Sequence, residues 1–250
     1  MKKDKFYSIL FPIITFGCIL TLWAISANAI NSEYVLPSVS ATFSALFDLF
    51  KKGEFYTAYA LTFLRSLIAF LLSFTIAFLL AYLVKKFRYA GKIINPIVSV
   101  IRCLPTIAVV LLLMFWTNSQ IAPVIVTMMV VLPTLYTNVY SAFDSVDKEV
   151  VEMCEFFKVD KKKIFLSVKL PAILPSMLLA IGSGLALNIK LMVAAEVLAS
   201  TANSIGNELS FYNYNLEVAT MIALVLITVI TGVIIEGVFR LISKKVGKWK

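Results

Sequence analysis

Three kinds of residue carry chemical meaning here by their type and place: charges inside apolar runs, phenylalanines inside a charged run, and prolines that interrupt apolar stretches. Arg102, Lys190 and Glu196 are of the first kind. A charge near the middle of a bilayer costs at least about 2.5 to 3.5 kcal/mol, so such groups face a cavity or a partner. Arg102 lies beside Pro105, where its guanidinium can bond carbonyls that the proline frees or can face a water-filled cavity. Lys190 and Glu196 share a helical run but are separated by roughly 600° of rotation, so they point in different directions and do not pair. Glu196 and Arg65 are candidates for pairing with charges on other helices.

Other chemistry is excluded by composition. Histidine is absent, and Cys18, Cys103 and Cys154 are far apart with no CxxC spacing, which removes the usual zinc sites and nearly all histidine-based catalysis. No GxxxxGK[ST] segment is present to cradle nucleotide phosphates.

The elements that must hold these residues are membrane-spanning helices. The chain has 250 residues, of which 60% are hydrophobic and 15% charged, with a mean hydropathy of +0.92. Long apolar stretches recur throughout, which predicts an all-α membrane protein of one domain over residues 1–250. About six spans are expected, at 8–30, 57–84, 93–116, 121–143, 172–199 and 216–242. The N-terminal run has basic residues but no small-residue cleavage pattern before Asn31, so it is expected to be retained as a helix. Val39, Phe43, Leu46, Phe47 and Phe50 recur at helical spacing and predict an amphipathic helix lying in the interface. Pro96 and Pro105 predict a kink or break in the third stretch.

The net charge of +9 is not a nucleic-acid signal, because the charges lie between the apolar runs. With both termini in the cytoplasm, Lys51 and Lys52 are the basic residues of the outer segments and Arg65, Arg102 and Lys190 those of the spans, out of 23 in all. The others gather on the inner side, as the positive-inside rule requires.

Residues 144–171 read DSVDKEVVEMCEFFKVDKKKIFLSVKLP and form the longest charged stretch. Asp144 is placed to cap a helix with Asp147 in its first turn, and Val146, Val150, Met153 and Phe157 form an apolar stripe along it. Asp160 is placed to cap a second short helix from Lys161 to Val168, set roughly at a right angle to the first, before Pro171 re-enters the membrane. Phe156, Phe157 and Phe165 in so charged a setting mark a partner surface, against the plain alternative of a solvated loop that only orients the chain.

Glu152-Met153-Cys154, Lys158-Val159-Asp160 and Leu170-Pro171 follow the spacing of the EAA loop of binding-protein-dependent ABC importer permeases. The chain resembles the nitrate/sulfonate/taurine type of that family. Leu36-Pro37, Arg65, Arg102 with Pro105, Ala195-Glu196 and Ser204-Ile205-Gly206 also agree, so that the resemblance covers roughly residues 34–242. It implies a type I ABC importer permease fold with cytoplasmic coupling helices, no catalytic residue, and no cofactor in this chain, ATP and Mg being bound by a separate ATPase. Glu152, Phe156, Phe157, Lys158, Val159, Asp160, Leu170 and Pro171 are then the residues that couple to that ATPase. Met153 and Cys154 replace the family's alanines, and Lys158 replaces a glycine suited to a left-handed helix terminus, at a cost of roughly 1 kcal/mol.

The implied partners are cytoplasmic ABC ATPases, an extracytoplasmic substrate-binding protein, a second copy of the permease and membrane lipid, all at the plasma membrane of a bacterium. Arg102, Asn188, Lys190 and Glu196 are the translocation-pathway candidates, Lys190 foremost, and Lys190 with Arg102 points to an anionic or zwitterionic substrate. Two rivals make different predictions. An ATP-independent secondary transporter should show internal repeats with paired broken helices. A membrane-embedded enzyme should show clustered acids or histidines at one membrane face.

Overall fold

A computed structural model describes residues 2–247, leaving aside the side chains of residues 2–9, Pro12, Ile13 and Lys148. The basic positions Lys248 and Lys250, and the side chains of Lys2, Lys3, Lys5 and Lys148, fall outside the described part. The described chain is helical, in the order α1 (Lys2–Ile30), α2 (Val39–Leu49), α3 (Gly53–Lys86), α4 (Ala90–Cys103), α5 (Thr106–Trp116), α6 (Ala122–Phe143), α7 (Lys148–Phe156), α8 (Lys161–Ile164), α9 (Leu170–Ala199), α10 (Ile205–Tyr214) and α11 (Val218–Val246).

Among the described residues, four helices are long and apolar enough to cross a membrane: α3, α6, α11 and the continuous helix Lys161–Ala199 that contains α9. The pair α4 and α5 forms a broken fifth, bent by 93°. The break falls at Leu104 and Pro105, whose backbones are extended, whereas Pro96 sits inside α4 without ending it. A proline preceded by an extended residue is the geometry that proline itself favours. In α1, the described apolar part is Ile14–Ile30, and its described tertiary hydrogen bond is from Trp23 Nε1 to the Pro37 carbonyl at 3.0 Å.

Small and hydroxyl residues explain how the long helices approach one another. On α3, Ala58, Thr62, Ser66, Ala69, Ser73, Ala77 and Ala81 fall on one buried face. Inside a membrane, apolar side chains gain little by leaving lipid, so close backbone packing and hydrogen bonds join helices instead. Ser73 Oγ accordingly lies 3.0 Å from the Met128 carbonyl of α6. Gly184 of α9 admits the same closeness, since a Cβ there would stand 3.1 Å from Phe70 Cε2 and push into Leu135. α9 is the hub, packed against α3, α5, α6, α10 and α11.

Both ends of the bundle are identifiable from contacts. At one end Lys85 pairs with Asp144 at 2.5 Å, Ser145 Oγ donates to the Ala172 carbonyl, and Ser243 Oγ donates to the Pro175 carbonyl. This end gathers three of the segments expected on the inner side, those around Lys85, Asp144 and Ser243; the N-terminal one falls outside the described side chains. The opposite end carries α2, α10 and the turn between α5 and α6.

Two local expectations are corrected. Asp144 does not cap α7, because α6 continues to Phe143; the N-cap is Asp147, whose side chain accepts from the Glu149 amide at 2.9 Å. The second short helix is not separate and does not stop before the membrane. α8 runs through a π-helical turn at Phe165–Lys169 directly into α9, so Pro171 lies in its first turn. Lacking an amide, Pro171 cannot bond back within the continuous helix, and the wider π-helical turn just before it is where the regular ladder is interrupted.

Candidate functional site: a docking helix and the charges of the bundle

α7 projects from the end where the basic segments gather. It ends in a Schellman motif: the Val159 amide donates to the Cys154 carbonyl and the Lys158 amide to the Glu155 carbonyl, both at 3.0 Å. Lys158 takes φ of 55°, the left-handed conformation that the glycine of the resembled motif would adopt without strain. The turn therefore keeps that geometry with lysine in place of glycine. It presents Phe156 and Phe157, 82% and 70% exposed, with their rings edge to face at 5.5 Å. Met153 of the expected stripe is 54% exposed and Val150 36%, while Val146 is half-buried, so the stripe opens toward Phe157 and is only partly covered among the described residues.

Glu152 and Glu155 are exposed residues lining a cavity of about 1060 Å³ behind α7, together with Lys85 and Lys169. Val159 and Leu170 are 38% exposed, and Asp160 and Pro171 are also exposed. Asp160 stands at the N-cap position of α8 without a side-chain capping bond. α7 and its terminal turn thus bring together most of the residues singled out in the sequence, with Leu170 and Pro171 a helical segment away.

The charges inside the bundle divide into held and open groups. Glu196, fully buried, receives Arg65 Nη1 at 3.1 Å and the Thr62 hydroxyl at 2.9 Å. Arg65 Nη2 also donates to Gln120 Oε1 at 2.5 Å and to the Ala202 carbonyl at 3.3 Å. This knot joins α3, α9, the α5–α6 turn and the loop before α10, and Gln120 enters it without any local sequence signal. Gly206 permits it, because a Cβ there would press on Glu196 and lie 2.6 Å from the Val197 nitrogen. Ser200, with φ of 49°, closes α9 in a second Schellman motif through the Thr201 amide and the Glu196 carbonyl.

Asn188 is fully buried and donates to the Ser66 carbonyl and hydroxyl at 2.7 and 2.6 Å. Asn188 and Glu196 therefore do not face open space in this structure. Arg102 is bound not to carbonyls beside Pro105 but to α6, through the Thr137 hydroxyl at 2.8 Å and the Pro133 carbonyl at 3.4 Å. Lys190 is exposed and has no hydrogen-bonding or ionic partner among the described residues. The expected divergence of Lys190 and Glu196 is seen in full.

At the opposite end, Lys52 Nζ donates to the Tyr212 hydroxyl at 3.1 Å, which holds the lysine protonated to higher pH than usual. Partial burial, and then the nearby charge of Glu54, push the Glu208 carboxyl above the usual carboxylate range. No cluster of three or more potential metal ligands occurs among the described residues.

Known proteins agree with this architecture. The chain is 26% identical over 186 residues to SsuC of Escherichia coli K12, named as an aliphatic sulfonates transport permease, covering 74% of this chain and 71% of that one. It is 26% identical over 179 residues to the formylaminopyrimidine transport permease ThiX of Halalkalibacterium halodurans, covering 71% and 70%. In fold it is similar to an amino acid ABC transporter solved with histidines, with a TM-score of 0.65 at 13% identity over 77% of this chain and 94% of that one. The MetNI methionine ABC transporter gives a TM-score of 0.60 at 18% identity, over 76% and 93%. The sequence pattern of the binding-protein-dependent transport system inner membrane components matches residues 73–248, and the chain belongs to that family: it is a membrane permease subunit of an ABC importer, not an enzyme and not a secondary transporter.

Proposed function

We propose that two copies of this chain form the pathway of a bacterial plasma-membrane importer, with both termini and α7 in the cytoplasm. A cytoplasmic ATPase grips α7 of each copy, and a binding protein delivers substrate to the end that carries α2 and α10. ATP and Mg are bound by the ATPase. Closure of the paired ATPases pushes on α7, and the rigid continuation through α8 into α9 carries the push to the hub of the bundle.

The observation that supports this reading best is the exposed Phe156–Phe157 pair at the end of α7, beside Lys161, Lys162 and Lys163. An apolar pair held out on a capped turn suits a cleft on a partner. Glu152, Lys158, Val159, Asp160, Leu170 and Pro171 act around it as the remaining coupling surface. Of the four pathway candidates, Lys190 has the open position, Arg102 is half-committed to α6, and Asn188 and Glu196 hold helices together. The substrate class that suits Lys190 and Arg102 is an anion or zwitterion, in keeping with the sulfonate named for one relative.

The reading is tested by extracting the protein in mild detergent and weighing the intact complex. Two permease chains with two ATPase chains are expected. An active preparation without a stoichiometric ATPase overturns it.

A further inference from the structure

The cavity of about 1060 Å³ behind α7 has an apolar depth that docking of an ATPase does not use. Phe78, Leu79 and Tyr82 line it from α3, and Ile173, Leu174 and Met177 from α9. Phe143 of α6 lines it as well, with its ring 5.6 Å from that of Phe78. Seven residues lead from Lys85 back to Phe78 and eight from Lys169 on to Met177, so the walls run about 10 and 12 Å inward from the charged end. α3 and α9 are spans, and the hydrocarbon of one leaflet is about 15 Å deep, so these walls stand in lipid. Leu79, Tyr82, Phe165 and Leu170 are exposed, which leaves the cavity unfilled by this chain.

Its charges all come from the ends of the spans or from α7: Lys85, Asp144, Glu152, Glu155 and Lys169. Lys85 and Asp144 neutralise one another at 2.5 Å, and the Lys85 ammonium also lies 3.9 Å from the centre of the Tyr140 ring. Lys169, Glu152 and Glu155 have no hydrogen-bonding or ionic partner among the described residues. One open cation and two open carboxylates therefore border a cleft of apolar walls. The occupant that complements them has a long apolar body, a negative group for Lys169 and a hydrogen-bonding cation for the glutamates. A water-soluble ATPase does not reach so far into hydrocarbon, whereas an inner-leaflet lipid is already there.

We propose that this cavity binds one phospholipid with a primary-amine headgroup, of the phosphatidylethanolamine class. Its phosphate sits on Lys169, its ammonium on Glu152 and Glu155, and its acyl chains lie along α3 and α9. A choline headgroup carries the same charges but has no N–H to donate to the carboxylates. A glycerol headgroup brings its phosphate to the same place with no cation for the glutamates, so it meets like charge there. Through its headgroup the bound lipid ties α7 to the start of α9. The site belongs to each chain singly and does not depend on how many copies form the pathway.

The test uses the complete importer with its ATPase, in vesicles of equal parts phosphatidylethanolamine, phosphatidylcholine and phosphatidylglycerol with identical chains. The complex is extracted in mild detergent, and the lipids still bound are identified and counted per permease chain by mass spectrometry. One phosphatidylethanolamine per chain is expected, enriched about tenfold over phosphatidylcholine, the ratio that one lost charge-assisted hydrogen bond gives. Lys169→Gln with Glu155→Gln should abolish the enrichment, and Leu174→Trp, which fills the cleft, should displace the lipid. Glycerophosphoethanolamine, the headgroup without its chains, should not displace it. Equal retention of the three lipids, a preference for phosphatidylglycerol, or retention unchanged by Leu174→Trp overturns the site. So does wild-type complex that holds no lipid because a second copy covers the cavity, or lipid that the chainless headgroup removes.

Discussion

Arg65 on α3 and Glu196 on α9 form an ion pair of 3.1 Å in which the carboxylate has no exposure and the arginine side chain 12%. The second guanidinium nitrogen reaches Gln120, so the pair also fastens the α5–α6 turn. Burying one partner alone leaves an uncompensated charge, which costs about 3 to 5 kcal/mol. Arg65→Met should lower thermal stability in detergent by that order, and Arg65→Met with Glu196→Met together by less than either single change. A loss from the double variant equal to the sum of both singles would show that the two residues do not act as a pair.

Gly206 stands where a side chain would meet Glu196 and the Val197 backbone. Overpacking of this kind costs about 1 to 3 kcal/mol. Gly206→Ala should reduce the yield of monodisperse protein in size-exclusion chromatography, while Gly237→Ala, with open space around its position, should not.

Phe156 and Phe157 have almost no contact with the rest of the chain, being 82% and 70% exposed. Phe156→Ala with Phe157→Ala should leave thermal stability within about 0.5 kcal/mol, as for surface changes generally, while the ATPase ceases to co-purify. Retention of the ATPase at full stoichiometry would remove the pair from the coupling surface.

Lys158 holds a left-handed backbone with φ of 55°. Lys158→Gly should relieve about 1 kcal/mol of backbone strain, offset in part by the greater freedom of glycine in the unfolded chain. Transport should persist in Lys158→Gly and fall in Lys158→Pro, which cannot adopt positive φ and lacks the amide that bonds the Glu155 carbonyl.

Glu208 is a raised carboxyl, through burial first and Glu54 second. Between the ordinary value of 4.5 and the higher folded value, the native state holds more protons than the unfolded one, so stability falls as pH rises through that window. Glu208→Gln should flatten the fall, which is read as melting temperature against pH from mildly acid to neutral. An unchanged profile would show that the fall comes from other groups.

Apolar runs are what hydropathy can read: α3, α6 and α11 lie over the stretches 57–84, 121–143 and 216–242. The divergence of Lys190 from Glu196 followed from helical rotation alone. α10 lies between the expected fifth and sixth spans, where polarity masks a helix from hydropathy, although Ser204, which accepts from the Asn207 amide at 2.9 Å, is a readable N-cap. Gln120 left no local signal, because its role depends on a guanidinium 55 residues earlier in the chain. Continuity from α8 into α9 was hidden because Asp160 and Pro171, usual marks of a helix start, both occur within a few turns of each other.

The sharp bend at Pro105 also bears on biogenesis. α4 has 14 residues and α5 has 11, lengths of about 21 and 16 Å, and neither crosses a hydrocarbon layer of about 30 Å alone. An insertion machine that reads the nascent chain segment by segment meets two pieces too short to be accepted singly. Only joined do they make a stretch long and apolar enough to span, and the walls available to them are α3 and α6 for the first piece and α6 and α9 for the second.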